Sequence, residues 1–552
     1  MIQDKRSQQI ADEICREHEQ MIAGRANWDS HWQEISERVF PSNSKLFKSF
    51  GNQTKGEKRN TEVFDSTASI ALQRFSAILD SLLTPRNQTW HRLTSNNRYL
   101  NKDRKVQLWF EEVTQILFKF RYSPKANFAS QNQQTYMSLG AFGTGSLFID
   151  NLWNEPGLRY RNIHLGELYI AENHQGVVDK AHRAFVMTAR QAFQKWKEKT
   201  PEAVMTALQK NPEQEFKFIH CVKPREDYDR ERVDFTGMPF ASYYVSVEGK
   251  TLLDEGGYRV FPYPTSRYTQ VSGEVYGRSP AMEALPSIKT LNEMKKTVLK
   301  QGHRSVDPVL FVHDDGILSS ASLKPGAMNP GGVTADGRPL VHALPVGNII
   351  IGKELMDDER MPINDVFLVN LFQVLVDAPN MTATEVMERA KEKGILLAPT
   401  VGRQNDEYLG PTIEREVDCL SSQVDPRTGQ PLLPPMPDIL LEAGGEYSIV
   451  YDSPLARAQR SEEAVGFMRT LDSALKVAEV TQNQEPLDHF DWDVIVPEIA
   501  AIQGMPARWM RDPKMIAQMR DGRAQSAQDQ AMVAGLPAVS QAVKTASEIA
   551  KG

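Results

Sequence analysis

The sequence has few cysteines and no long apolar stretch, and both absences exclude classes of protein. Only three cysteines occur in 552 residues, Cys15, Cys221 and Cys419, and none forms a C-x-x-C pair. This usage predicts free thiols in a reducing compartment and argues against a disulfide scaffold. The longest apolar run, 366–376, has 11 residues, whereas a bilayer-spanning helix needs about 20. We therefore expect no membrane span.

The N-terminal stretch is polar and lacks the apolar segment of a signal peptide, so we expect a soluble protein made in a cytoplasm. The net charge is −7, which argues against a generally basic nucleic-acid binder but leaves room for local basic patches. Hydrophobic residues make up 40% of the chain, enough to bury a substantial core. The length indicates several domains.

Motifs that would carry catalysis are incomplete. The sequence has no H-E-x-x-H, and "EGKT" at 248–251 has Tyr244 where a phosphate-binding loop needs glycine. "GAFGTGS" at 140–146 has Phe148 in place of the third glycine of G-x-G-x-x-G, and "GRSPA" around Ser279 lacks the closing glycine of a nucleophile elbow. We interpret these three as a strand turn, a helix-to-strand turn and a helix N-cap. No catalytic residue, metal site or cofactor is predicted.

Acidic clusters are the remaining candidates for chemistry: "DDER" at 357–360, "EDYDRE" at 226–231 and "DHFDWD" at 488–493. Paired carboxylates can hold a divalent metal. No partner motif lies at a suitable spacing, so solvated surface is the default interpretation.

The order of patterns predicts an α+β protein that is mainly helical. Residues 1–140 have helical periodicity, 143–270 contain short strand-like runs around a helical pair, and helices resume after 276. The proline-rich stretch 424–438 is typical of a linker.

The predicted helix 281–300 is amphipathic, with one arc of apolar residues. The opposite arc carries Lys289, Glu293, Lys296 and Lys300. Lys295 falls within the apolar arc and would have to extend its ammonium group outward. From the pattern alone, a solvated face is the simplest interpretation. A long helix is predicted to begin at Thr382, which has the capping-box spacing with Glu385. Glu385 is therefore interpreted as a structural residue and not a catalytic one.

Several short motifs resemble one known family when they are taken together and in order. They are "TWHRLT" (89–94), "GAFGTGSLFI" (140–149), "EVYGRSPAMEALPSIKTLNEM" (274–294), "MTATEVMERAKE" (381–392) and "YDSPLARAQRSEE" (451–463). With them the sequence resembles the portal proteins, or head-to-tail connectors, of short-tailed, T7-like bacteriophages.

This resemblance implies a portal fold with a wing, a two-helix stem, a clip and a crown. Mapped onto this chain, it implies the following parts: the wing at 1–275, the first stem helix at 276–303, the clip at 304–352, the second stem helix at 353–377, the tunnel loop at 378–382, a long kinked wing helix and returning wing strand at 383–454, and the crown with a C-terminal helical tail at 455–552.

The resemblance also implies a ring of about twelve subunits at one capsid vertex of the virion, with double-stranded DNA passing through its channel. The implied partners are the large terminase, the major capsid and scaffolding proteins, and the tail adaptor and tail proteins. Two alternatives stay open: a packaging-motor ATPase or nuclease, and another virion protein such as a tail adaptor or internal scaffold.

In such a ring the lysine face of helix 281–300 would line the bore and attract phosphates without reading sequence. The same lysines could instead contact a neighbouring subunit. The tunnel loop would contain Ala378, Pro379, Asn380 and Met381. The clip glycines that could support an exchange of strands between subunits are Gly326, Gly331 and Gly332.

Overall fold

The computed structural model describes most of the chain. The described residues are 2–43, 47, 56–57, 63–97, 99–306, 310–312, 333–339, 341–343, 349–370, 398–452, 454–481, 485–502, 505, 507–512 and 515–527. The chain divides into two compact units, the first formed by 1–88 and 119–432 and the second by 89–118 and 433–552. The last border lies inside the proline-rich stretch predicted as a linker.

Helices and strands alternate along the described chain. The helices are α1 (Ile2–Arg38), α2 (Thr67–Leu83), α3 (Arg104–Arg121), α4 (Phe128–Phe142), α5 (Ala189–Trp196), α6 (Glu202–Lys210), α7 (Pro280–Val306), α8 (Ile349–Val366), α9 (Gly410–Ser421), α10 (Asp438–Glu442), α11 (Pro454–Thr481) and α12 (Trp492–Ile502). The strands are β1 (His91–Thr94), β2 (Thr144–Asn151), β3 (Leu158–Ile163), β4 (Leu168–Glu172), β5 (Val178–Thr188), β6 (Glu215–Pro224), β7 (Phe240–Ser246), β8 (Thr251–Tyr258), β9 (Thr265–Arg267), β10 (Leu310–Val312), β11 (Val341–Ala343) and β12 (Ser448–Tyr451).

A five-stranded antiparallel sheet of order β4-β5-β6-β7-β8 forms the centre of the first unit. Successive side chains of a strand point to opposite faces, so each face buries its own set of residues. On one face Ile219 and Cys221 of β6 pack with Ile14 of α1. On the other face Phe218 of β6 packs with Trp196 of α5. Helix α1 and the α5–α6 pair therefore cover opposite sides of the sheet.

A second sheet, of order β3-β2-β9, follows α4 directly. Helix α4 ends at Phe142, and Gly143 adopts a left-handed φ of 77° before β2 begins at Thr144. This confirms the helix-to-strand turn predicted for "GAFGTGS". The turn predicted for "EGKT" is also confirmed, because it connects β7 to β8.

Helices α7 and α8 pack against each other, and the short antiparallel pair β10–β11 lies between them in sequence. Helix α8 begins at Ile349, before the start at 353 implied by the resemblance, and ends at Val366. Its end is followed by Leu368, which has a left-handed φ of 62°. The stretch 371–397 lies outside the described residues.

The second unit contains the antiparallel pair β1–β12, in which His91 is opposite Tyr451. Three aromatic rings contact one another: Phe467 of α11, Trp492 at the start of α12, and Phe490 in the segment between these helices. Trp509 is 68% exposed, so the described part of this unit also presents a large apolar side chain at its surface. Taken together, the two units confirm a protein of mixed helix and sheet.

Candidate nucleic-acid interface

The start of α7 is fixed by its contacts with the end of α4. Ser279 accepts a hydrogen bond from the amide of Met282 at 3.0 Å, which confirms the predicted N-cap. The same hydroxyl donates to the carbonyl of Ala141 at 2.9 Å. The amide of Gly277 donates to Thr144 Oγ1 at 2.9 Å. Two of the motifs that carry the family resemblance therefore contact each other here.

Two glycines make this approach possible. A Cβ atom placed on Gly143 would lie 2.2 Å from the carbonyl oxygen of Gly277, and one on Gly277 would lie 2.3 Å from the carbonyl oxygen of Gly143. Gly143 also has a backbone conformation that side-chain-bearing residues adopt at a cost. Only glycine at both positions fits this contact without a shift of the backbone.

The apolar arc of α7 is buried in its first half, as its pattern predicts. The buried residues there include Ala284, Leu285, Ile288 and Leu291. Lys295 is partly buried, in agreement with its predicted place within the apolar arc. The amphipathic interpretation of the helix is confirmed, and the charged arc faces away from these contacts.

The charged arc is not simply solvated, because two of its lysines have partners within the chain. Lys289 Nζ lies 2.8 Å from Glu34 Oε1 of α1. This hydrogen bond, which outweighs the opposing effect of burial, lowers the pKa of Glu34. Lys296 Nζ lies 3.5 Å from Glu293 Oε1 and 5.6 Å from the ring centre of Phe64. Half of the Lys289 side chain nevertheless remains accessible, and Lys300 is exposed.

The segment before α2 joins α7 to α8 through polar contacts. Asn292 of α7 accepts a hydrogen bond from the amide of Phe64 at 2.7 Å. Asp65 then accepts one from Arg360 Nη2 of α8 at 2.7 Å. Burial raises the pKa of Asp65, but hydrogen bonds from Thr67 and Arg360 outweigh it and the net shift is downward. The segment before α2 thus contacts α7 through its backbone amides and α8 through the Asp65 carboxylate.

A largely apolar groove of about 470 Å³ runs between α7 and α8. Its lining includes Glu293 and Thr297 of α7 and Leu355 of α8. Gly352 of α8 lets the helices approach, because a Cβ there would lie 2.8 Å from Val298 Cγ2. The helix pair thus has an open, largely apolar groove, and Glu293 of the charged arc is part of its lining.

Other predicted site residues fall outside the described residues. These are the tunnel-loop residues Ala378, Pro379, Asn380 and Met381, the predicted helix cap Thr382 and Glu385, and the clip glycines Gly326, Gly331 and Gly332.

Each of the three acidic clusters contains a carboxylate that is paired with an arginine. The Nη–Oδ distances are 2.6 Å for Arg360 and Asp357, 3.4 Å for Arg225 and Asp227, and 2.6 Å for Arg520 and Asp493. These pairs favour the interpretation of charged surface over a metal-binding role.

One buried polar chain has the residue types of a nucleophile and base but not their setting. His220 Nε2 lies 3.0 Å from Ser242 Oγ, and His220 Nδ1 lies 2.6 Å from Tyr263 Oη. All three residues are buried, and burial holds the pKa of His220 well below its ordinary value. A substrate cannot reach this serine in the described conformation, so these three hydrogen-bonded residues are part of the core.

Sequence reasoning misses a buried polar network that organises the first unit. Arg267 of β9 binds both carboxylate oxygens of Glu407, at 3.0 and 2.9 Å, and also pairs with Glu172 of β4. Tyr408 donates to Asn132 Oδ1 at 2.7 Å. Glu407 and Tyr408 lie in a π-helical turn, 405–409, which offers no recognisable signal in the sequence.

No helix within the described ranges is long and apolar enough to cross a membrane.

Comparison with known proteins gives consistent matches over nearly the whole chain. A family model described as "Bacteriophage head to tail connecting protein" matches residues 11–510. The "Probable portal protein" of Bordetella phage BPP-1 is 29% identical over 525 residues, which cover 93% of this chain and 92% of that protein. The "Portal protein" of Salmonella phage epsilon15 is 27% identical over 549 residues, covering 97% and 95% respectively. These matches confirm the family resemblance predicted from the motifs.

Proposed function

Because the chain belongs to the family of bacteriophage head to tail connecting proteins, we propose that about twelve copies close into a ring at one capsid vertex. In this proposal double-stranded DNA enters and leaves through the central channel. The proposal rests mainly on the family match over residues 11–510, and two relatives named as portal proteins support it. The role is structural and requires no catalytic residue or cofactor.

The proposed parts of the subunit follow the order implied by the resemblance. The α7–α8 pair is the stem, and the segment between the two helices, which includes β10–β11, is the clip. Ala378 to Met381 form the tunnel loop, Thr382 and Glu385 cap the long helix that follows it, and the crown lies after about residue 455. The ring would dock the large terminase during packaging, then tail adaptor and tail proteins, with the major capsid and scaffolding proteins around the wing.

The charged arc of α7 is the proposed DNA-facing surface. Rings of Lys289, Lys296 and Lys300 would attract phosphates without reading sequence, and Glu293 would weaken that attraction so that the duplex can slide. The intrachain partners of Lys289 and Lys296 orient these side chains but leave part of each accessible. Lys300 is exposed and is the nearest of the three in sequence to the proposed clip.

Electron microscopy of the purified full chain tests the ring. We expect a closed particle with a central hole wide enough for a duplex. A monomer at high concentration, or a ring too narrow for DNA, would contradict the proposal.

The DNA-facing surface is tested separately with Lys289→Gln, Lys296→Gln and Lys300→Gln combined. Glutamine avoids the like-charge contact with Glu34 that glutamate at 289 would create. We expect rings of normal shape but altered genome packaging, with a weaker dependence on salt because fewer phosphates are contacted. The matched control combines Lys105→Gln, Lys210→Gln and Lys217→Gln, three exposed lysines on other elements, and should package normally. Equal packaging by both variants would show that the α7 lysines do not handle DNA.

A further inference from the structure

Three side chains that are far apart in the sequence converge between α1 and the five-stranded sheet. His182 of β5 and Cys221 of β6 are directly opposite each other in the strand register. Such a pair projects from the same face of the sheet, here the face covered by α1. Glu17 of α1 extends its carboxylate toward both, and we call the three residues the Glu17 cluster.

The ligand atoms of the Glu17 cluster have spacings close to those of a tetrahedral metal site. His182 Nε2 lies 3.1 Å from Cys221 Sγ and 3.4 Å from Glu17 Oε2. All three atoms lie within 4.8 Å of one another. Zinc bonds of about 2.3 Å to sulfur and about 2.0 Å to nitrogen and oxygen place tetrahedral N and S ligands about 3.5 Å apart, and N and O ligands about 3.3 Å apart. The His182–Cys221 and His182–Glu17 distances therefore lie within about 0.4 Å of these tetrahedral values.

We propose that the Glu17 cluster binds a divalent transition-metal ion of the Zn²⁺ or Co²⁺ type and thereby cross-links α1 to the sheet. Thiolate, imidazole and carboxylate are ligands that such ions accept, whereas Ca²⁺ and Mg²⁺ prefer oxygen alone. On binding, the Cys221 thiol releases its proton to solvent. The three protein ligands leave one position for water.

Burial of the cluster favours retention of a bound ion. His182 and Cys221 are fully buried, and Glu17 is 24% exposed, which gives the ion a route from solvent. Among the described residues, His182 Nδ1 has no hydrogen-bond partner. The polar contacts of this imidazole are therefore made through Nε2, the nitrogen that points at the other two ligands.

Two lysines already pair with the Glu17 carboxylate and would compete with a metal ion for it. Lys180 Nζ lies 2.8 Å from Glu17 Oε2, the oxygen that would bind the ion. Lys223 Nζ lies 3.5 Å from the other oxygen and 2.6 Å from Glu13 Oε1. Lys180 is partly exposed and can turn toward solvent, so the ion and Lys180 compete for one oxygen. Removal of Lys180 should tighten metal binding.

Cobalt titration of the full-length protein, read by thiolate-to-cobalt charge-transfer absorbance and by bound metal per chain, tests the site. We expect one ion per chain and a charge-transfer band. Cys221→Ser should abolish the band. Cys419→Ser removes another buried thiol, one that does not belong to the cluster, and should leave the band unchanged. Lys180→Gln should raise cobalt affinity about two- to fivefold, the effect expected for loss of a competing partly exposed ion pair.

Three outcomes would overturn the proposal: no band in the wild type, a band that persists in Cys221→Ser, or weaker binding by Lys180→Gln. If Cys221→Ser does not fold, Glu17→Gln at the partly exposed ligand takes its place. Unchanged cobalt affinity in that variant would also exclude the site. None of these outcomes bears on ring formation, so the two proposals fail independently.

Discussion

The buried Arg121–Glu416 pair and the charged arc of α7 use similar residue types in opposite ways. Arg121 and Glu416 are both wholly buried in the first unit, with Arg121 Nε 2.9 Å from Glu416 Oε1. Tyr160 adds a hydrogen bond to the same carboxylate at 2.7 Å. On α7, Lys289 pairs with Glu34 at a similar distance, but both side chains remain substantially exposed.

This difference teaches which charges belong to the fold and which stay available to other molecules. Burial lowers the pKa of Arg121, but the adjacent Glu416 outweighs burial and the net shift is upward, so the pair stays ionised inside the protein. Neither partner can leave without exposing an uncompensated charge to an apolar interior. The exposed Lys289 pair has no such penalty, because water can replace Glu34 at little cost.

The largest expected effect comes from breaking the buried pair. Glu416→Ala leaves Arg121 buried without its counter-charge and should reduce the free energy of unfolding by about 3–5 kcal/mol. Chemical denaturation of the purified chain measures this. Glu414→Ala, at an exposed position of the same helix, is the matched control and should change stability by less than about 0.5 kcal/mol. Equal losses in both variants would refute the distinction.

The second largest loss of stability is expected at the contact between Gly143 and Gly277, which positions the start of α7 against the end of α4. Gly143→Ala combines a left-handed backbone with a clash against the Gly277 carbonyl and should cost at least about 2 kcal/mol of unfolding free energy. The control is Gly24→Ala in α1, where a Cβ meets no atom within 4 Å. That substitution should stabilise the helix by about 0.5–1 kcal/mol. A neutral Gly143→Ala would show that the turn can rearrange.

The smallest change in unfolding free energy is expected for the exposed pair of Lys289 and Glu34. Lys289→Met removes the pair with Glu34 and should lower the unfolding free energy by less than about 1 kcal/mol. Lys300→Met, at an exposed position of the same helix, serves as the control in the same denaturation series. A loss above about 2 kcal/mol for Lys289→Met alone would assign that lysine to the fold instead of to a binding surface.

Local patterns predict the elements of this protein well where neighbouring residues decide them. The Ser279 N-cap, the turn at Gly143 and the two faces of α7 each follow from spacing within a few residues. The end of α8 at Val366 is less predictable, because Leu368, shortly after it, has a left-handed conformation that tertiary contacts rather than propensity must impose. The lysine arc was predictable as a surface, but its contact with Glu34 was not.

The sequence alone determined the alternation of helices and strands and the family, since periodicity, turn residues and ordered motifs are properties of short segments. Only the tertiary structure decided which distant charges meet. Arg121 finds Glu416, Arg267 finds Glu407, and Glu17 joins His182 and Cys221. The physical reason is that buried charges pair with groups that are close in space. When those groups are far apart along the chain, no local sequence pattern indicates the pairing.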